Sequence, residues 1–205
     1  TLRRQVKAGQ NISLCGIPWW NSDIGGFFDG GLETEVFREL IVRWFQYGTF
    51  CPVMRLHGQR KPYTPVEGSP MHTGAPNEVW SYGEEAYEIM SHYLHVREKL
   101  KPYILKHMKQ ASKDGTPLMR PLLYDFPDDE KSWVTEDQYM FGPDLMVAPV
   151  LEAEAKYRSI YLPSGSEWRD ALTGKKYEGG QTLKYEVEIE HIPAFTRNGS
   201  DFSLK

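Results

Sequence analysis

The chain has 205 residues, 40% of them hydrophobic and 13% aromatic, and its 24 Lys plus Arg against 28 Asp plus Glu give a formal net charge of -4. That length is short of the roughly 250 residues of a complete (β/α)8 barrel, and the mildly acidic balance without basic runs argues against a nucleic-acid partner. Cys15 and Cys51 supply neither a disulfide framework nor zinc-ligand spacing. They read as core thiols or one optional bridge. The longest apolar stretch, residues 145–151, is broken by Pro149 and far short of the ~20 residues of a membrane helix.

In chain order, residues 1–8 read as the end of a helix stopped by Gly9, and residues 11–17 as a short apolar run of β type. Residues 18–31 form a loop dense in Trp, Asp, Gly and Phe. Residues 32–47 carry apolar side chains at 36, 40 and 44 and again at 37, 41 and 45, two adjacent stripes that predict one wide helical face. Thr34 is the expected N-cap, Glu39 and Arg43 an i,i+4 pair, and Gly48 the stop. Residues 50–54 read as a second strand. Strand, helix, strand makes a βαβ unit with parallel strands and a right-handed crossover. The loop at 19–27 and the segment at 55–58 are therefore expected to open onto one carboxyl edge, where α/β folds bind ligands.

Residues 61–78, rich in Pro, Gly, Ser and Thr, predict a long surface loop. Residues 80–114 have helical periodicity, with Ile89, Met90, Tyr93, Leu94, Val96 and Leu100 on the apolar side. Pro102 is expected to split this stretch by starting a second helix. After Thr116 the pattern changes to short runs at 118–123, 138–141, 145–150, 159–162, 168–170, 183–189 and 192–197, separated by turns such as Gly142-Pro143-Asp144. Leu183, Tyr185, Val187 and Ile189 alternate with polar residues, as in a half-buried strand. This spacing predicts an antiparallel β-sandwich, with a boundary that divides the chain into 1–115 and 116–205.

The chemistry concentrates in Gly16-Ile-Pro-Trp-Trp-Asn-Ser-Asp-Ile-Gly-Gly-Phe-Phe-Asp-Gly30. Trp19, Trp20, Phe27 and Phe28 offer flat apolar faces, Asp23 can accept two hydrogen bonds from vicinal hydroxyls, and Gly25 and Gly26 permit tight turns. Apolar walls with a few placed polar groups are the make-up of a sugar pocket. The same residues also fit a plainer role, with the aromatics in the core and Asp23 capping a turn. His57, just past the second strand, is either a donor to a sugar hydroxyl or a satisfied structural histidine. By itself the second is favoured, and its expected convergence with Asp23 narrows the difference. His92 and His95 lack a third ligand at helical spacing, so no metal and no cofactor are expected. Asp125, Asp128, Asp129, Glu136 and Asp137 read as solvated turn acids and Asp144 as a turn former. A glycosidase needs two carboxyl groups about one bond, and Asp23 has no convincing second carboxylate at the mouth.

These segments resemble glycoside hydrolase family 31, the α-glucosidases and α-xylosidases. The resemblance is carried in family order by Gly16-Ile-Pro-Trp-Trp-Asn-Ser-Asp-Ile-Gly-Gly-Phe27, Arg43-Trp-Phe-Gln-Tyr-Gly48, Met54-Arg-Leu-His-Gly58, Met140-Phe-Gly-Pro-Asp-Leu-Met-Val-Ala-Pro-Val150, the Trp168, Asp170, Thr173, Gly174 turn strand, and Ile192-Pro-Ala-Phe-Thr-Arg197. It implies an α+β chain made of the last βα units of a (β/α)8 barrel, closing helices up to residue 115, and a following antiparallel β-sandwich. It also implies that Asp23, Phe27 and His57 bind the non-reducing sugar; Trp20 is expected beside them from its flat apolar face alone. The Trp19-Trp20 pair and the 43–58 phrase look most similar to the α-xylosidase-like members. The family's nucleophilic Asp lies after barrel strand four and its acid/base Asp upstream of the segment matching Thr1. No catalytic residue is therefore expected here, and the chain is expected to be an inactive C-terminal fragment of a retaining α-glycosidase that removes terminal α-xylosyl or α-glucosyl residues. The expected partners are an oligosaccharide substrate, the rest of the parent chain and, because two lone parallel strands expose edges, other copies of the fragment; no nucleic acid and no membrane is expected. An alternative makes the chain a non-catalytic carbohydrate-binding or structural module acting through its sandwich.

Overall fold

The computed structural model describes residues 1–204. Helix α1 (Leu2–Leu14) opens the chain and buries Leu2, Val6, Gly9, Gln10 and Ser13, a stripe at helical spacing. The strand expected at 11–17 is not formed. The few apolar residues in that stretch do not distinguish a strand from a buried helical turn, and α1 runs on to Leu14, with Cys15 as its C-cap and Gly16 following at positive φ. Gly9 does not stop the helix. A Cβ there would lie 2.6 Å from Trp20 Nε1, so its smallness serves packing.

The βαβ unit exists, with its strands displaced toward the loops. β1 (Asp23–Ile24) and β2 (Arg55–Leu56) pair in parallel, Asp23 opposite Arg55 and Ile24 opposite Leu56. Between them lies α2 (Glu35–Thr49), with Phe37, Ile41, Trp44 and Phe45 buried. Gly48 stays inside this helix because a Cβ would meet Ile24 Cδ1 at 2.7 Å, and residues 50–54 turn rather than extend. The expected surface loop at 61–78 contains a hairpin, β3 (Arg60–Pro65) against β4 (His72–Ala75). A 3-10 turn (Val79–Tyr82) leads into α3 (Glu84–Asp114), which is one continuous helix of 31 residues. Pro102 does not split it. The carbonyl that loses its partner there belongs to Glu98, and both residues sit on the exposed side, where water can take its place. Leu94, on the expected apolar side, is exposed, while Ile89, Met90, Tyr93, Val96 and Leu100 are buried.

The remainder is β5 (Met119–Pro121), two short helices α4 (Leu122–Asp125) and α5 (Glu130–Val134), then β6 (Tyr139–Phe141), β7 (Leu145–Val147), β8 (Tyr157–Leu162), β9 (Glu167–Asp170), β10 (Lys176–Glu178), β11 (Gln181–Glu186) and β12 (Ala194–Arg197). Six strands form one antiparallel sheet in the order β10-β9-β12-β7-β6-β5, and β8 pairs with β11. β10 was not legible in the sequence, being three residues between turns. The run at 183–189 contributes to β11 only as far as Glu186.

Side chains of the six-stranded sheet alternate between two cores, as the period of two requires. Tyr139, Phe141, Leu145, Val147 and Ala194 join the core of α1, α2 and α3, whereas Met140, Met146, Trp168 and Phe195 join Ile160 and Leu162 in the core closed by β8 and β11. The sheet is thus a wall common to both halves. Arg43 of α2 reinforces the junction: its Nη1 donates to the carbonyls of Glu188 (2.9 Å) and His191 (3.0 Å), and Gln46 Nε2 donates to that of Ile189 (2.7 Å). The expected Glu39–Arg43 pair is present at 3.8 Å.

Two of the turn acids are engaged rather than solvated, Asp129 buried and Asp125 half-buried. Asp129 caps α5 through the N–H groups of Lys131 and Ser132 and accepts from the Tyr161 hydroxyl and from Ser164. Asp125 receives two bonds from the buried Arg120.

Candidate functional site

The carboxyl ends of β1 and β2 form the mouth expected from the βαβ geometry. Ile24 is fully buried and anchors β1 beneath α2. Its neighbour Asp23 points the other way along the pleat, and its Oδ1 accepts from Arg55 Nε at 3.0 Å and Nη2 at 2.5 Å. Both bonds reach one oxygen, and the side chain keeps 19% of its surface exposed. A carboxylate so held is fixed in orientation yet retains acceptor capacity on Oδ2.

After Ile24 the backbone turns through Gly25 (φ +85°) and Gly26 (φ +81°), closed by Gly26 N–H donating to the Asp23 carbonyl at 2.9 Å. Gly25 is required twice over, because its φ disfavours a side chain and a Cβ would stand 2.6 Å from Ile41 Cδ1. Phe27 follows and is exposed. Its ring lies edge-on to Phe28 at 4.5 Å and tilted to the His57 imidazole at 5.3 Å between centroids. The Phe27 carbonyl accepts from Gln59 N–H at 2.7 Å, tying the first loop to the second. At the rim, Asp29 pairs with Lys61 at 2.9 Å and accepts from Tyr63; bonding and attraction from Lys61 hold its carboxyl below the usual range.

Of the four residues singled out in the sequence, Asp23, Phe27 and His57 are therefore brought to one edge. Trp20 is tied to the helices instead. Its Nε1 donates to Tyr47 Oη at 2.8 Å and its ring lies against Gly9. Arg55, which holds Asp23 at this edge, is the residue not expected from the sequence. The signal was the parallel register, which puts it opposite Asp23 once the strand is placed at 55–56 instead of 50–54. The arrangement suits a polyhydroxylated ring: a carboxylate and an imidazole for hydroxyls, and a phenyl face for C–H groups.

Other concave or acidic regions offer less. A cavity of about 700 Å³ between α2 and the 186–190 segment is lined by Glu35, Glu39, Glu85, Glu154 and Glu188 beside Arg43, with no aromatic face. Glu188, Glu190 and His191 bring three possible ligand atoms within 4.8 Å of one another, but both carboxylates are exposed and none of the mouth residues belongs to the group.

Residues 1–107 match the Glycosyl hydrolases family 31 TIM-barrel domain and residues 115–200 the Glycosyl hydrolase family 31 C-terminal domain. The chain is similar to an alpha-xylosidase of Saccharolobus solfataricus (40% identity over 204 residues, all of this chain and 26% of that protein) and to alpha-xylosidase A of Aspergillus niger (36% over 216 residues, 95% and 29%). Among solved structures, a GH31 alpha-xylosidase from a soil metagenome, complexed with xylose, superposes with a TM-score of 0.94 at 50% identity over 98% of this chain and 30% of that one. The chain thus spans less than a third of the length of these proteins. Its fold is the end of such a barrel followed by an antiparallel β domain.

Proposed function

The chain belongs to glycosyl hydrolase family 31, and on that premise we propose that it forms part of a retaining α-glycosidase that removes terminal α-xylosyl or α-glucosyl residues from oligosaccharides. In this reading Asp23, Phe27 and His57 bind the terminal sugar, and Trp20 supports the wall from beneath. The observation that carries it is the Asp23 carboxylate, held by Arg55 through one oxygen and flanked by the Phe27–His57 ring pair at a parallel-strand edge. Asp23 Oδ2 accepts from vicinal hydroxyls, the imidazole gives or takes a third hydrogen bond, and the phenyl ring covers the apolar face of the pyranose. These residues bind and orient. The bond-breaking carboxyl pair of a retaining enzyme, about 5–5.5 Å apart, comes from elsewhere in the whole protein. The reading keeps residues 1–115 as barrel and 116–205 as sandwich, supported by the end of α3 at Gly115 with φ +81°.

Kinetics on an aryl α-xyloside and an aryl α-glucoside test it. In the full-length enzyme, Asp23→Ala should lower kcat/KM by about 10²-fold or more, as loss of a charged hydrogen-bond partner does, and the isolated 205-residue chain should hydrolyse neither substrate. Turnover by the isolated chain would sink the proposal. The module alternative has less support, because Trp168 and Phe195 are fully buried and the exposed aromatics of that half, Tyr124 on α4, Trp133 on α5 and Tyr157 on β8, lie on separate elements rather than in one row.

A further inference from the structure

The loop that carries Asp23 and Phe27 is held from behind by a buried cation. Arg60, the first residue of β3, is completely buried, yet its guanidinium donates to a phenol and to carbonyl oxygens rather than to a carboxylate. Nε donates to Tyr82 Oη at 3.0 Å, Nη2 to the Ile24 carbonyl at 2.8 Å and Nη1 to the Gly26 carbonyl at 2.7 Å. Longer bonds from Nη1 reach the carbonyls of Gln59 (3.3 Å) and Asp29 (3.5 Å), and the Phe37 ring lies 5.4 Å from the guanidinium carbon. Three glycines make room. A Cβ on Gly25 would stand 2.7 Å from Nη2, one on Gly58 2.9 Å from Nη1, and one on Gly74 2.8 Å from the Arg60 nitrogen.

These bonds reach the neighbours of every mouth residue. The two shortest fix the peptide groups between Asp23 and Phe27. Gln59, adjacent to Arg60, bonds the Phe27 carbonyl. Tyr82 donates to the Asn77 side chain, whose Nδ2 donates to the Gly58 carbonyl at 3.1 Å, one residue after His57. A buried ion is a poor way to gain stability, since apolar replacements of equal volume commonly do as well. A forked cation is, however, a good way to hold several carbonyls at fixed spacing. We propose that Arg60 is a positioning residue for sugar recognition, setting the spacing of Asp23, Phe27 and His57 without touching the sugar. The proposal rests on the sugar-binding reading above.

The test uses the full-length enzyme with Arg60→Lys, whose single ammonium cannot reproduce the fork, and with Tyr82→Phe, a milder variant that keeps the cation and removes one acceptor. KM for the aryl glycosides, the inhibition constant of free xylose, kcat and the thermal midpoint are measured together. Arg60→Lys should raise KM and the xylose inhibition constant about tenfold, as small misplacements of binding groups do, and change kcat less; Tyr82→Phe should shift both constants the same way by about two- to fivefold. A purely structural Arg60 would lower the thermal midpoint and the amount of active enzyme but leave both constants at wild-type values, and that result overturns the proposal. Should Arg60→Lys fail to fold, unchanged constants in Tyr82→Phe overturn it equally. If the wild-type enzyme neither turns over these glycosides nor is inhibited by xylose or glucose, the sugar-binding reading has failed, and Arg60 falls with it.

Discussion

Asp23, Phe27 and His57 were legible as residue types, because an acid, an aromatic and an imidazole near two strand ends are what a hydroxyl-rich ligand requires. Arg55 was not, since its meaning depends on a register that puts it across from Asp23. Trp20 shows the converse limit. Its flat face suggested a sugar platform, and only the fold shows its N–H committed to Tyr47. The two cysteines, open in the sequence between core thiols and a bridge, are free and differ in setting, Cys15 exposed and Cys51 buried. Burial pushes the Cys51 thiol up to about 12, and the thiolate is the reactive form. Iodoacetamide near neutral pH should therefore add one group per chain, at Cys15, until the protein is denatured, as peptide mass spectrometry will show. Two labels on the native chain would contradict the buried placement.

At the scale of elements, long periodic stretches were readable and short ones were not. α2 and α3 were found because their apolar stripes persist over several turns. β1 and β2, two residues each, carry no period of their own, so they were misplaced by several residues. Glycine and proline misled where packing or solvent overrode their usual meaning, at Gly9, Gly48 and Pro102. The junction between α2 and the 188–191 loop was also invisible in the sequence, as it joins residues some 145 apart through Arg43. Burial lowers the Arg43 pKa and Glu39 partly restores it. Arg43→Ala would remove the charged donor to the carbonyls of Glu188 and His191 and should destabilise the chain by about 1.5–3 kcal/mol, the range for hydrogen bonds to charged groups. In urea this would appear as a lower midpoint at unchanged slope.

For the whole molecule, the two-faced sheet couples helices and sandwich, so buried groups at that wall affect the stability of the entire chain. His107 of α3 is one of them. Its Nε2 is buried without a partner among the described residues, and its ring packs on Tyr103 at 4.3 Å. Desolvation first, and Lys106 and Arg120 with it, lower its pKa against the opposing pull of Asp144. The unfolded chain takes up a proton there near pH 6.5 that the folded chain resists, so stability present above that pH is lost as pH falls through it. Thermal midpoints should drop between about pH 7.5 and about pH 5.5, and His107→Leu should flatten that drop; an equally steep profile in the variant would assign it to other groups. Exposed Leu14, Ile17, Trp19, Phe28 and Val53 lie in the segments that flank β1 and β2 along the chain, and these two strands form a sheet of their own, whereas parallel sheets are ordinarily covered on both faces. The isolated chain should accordingly self-associate, and a monodisperse monomer in sedimentation would count against it. The sequence by itself determined the class of the molecule, the long periodic stretches of α2 and α3, the alternation along β11 and the residue types of the candidate site, because periodicity and side-chain chemistry are local. Tertiary structure alone decided the strand register, the partner of Asp23, the withdrawal of Trp20 into the packing and the buried Arg60 behind the loop, because each depends on contacts between segments distant along the chain.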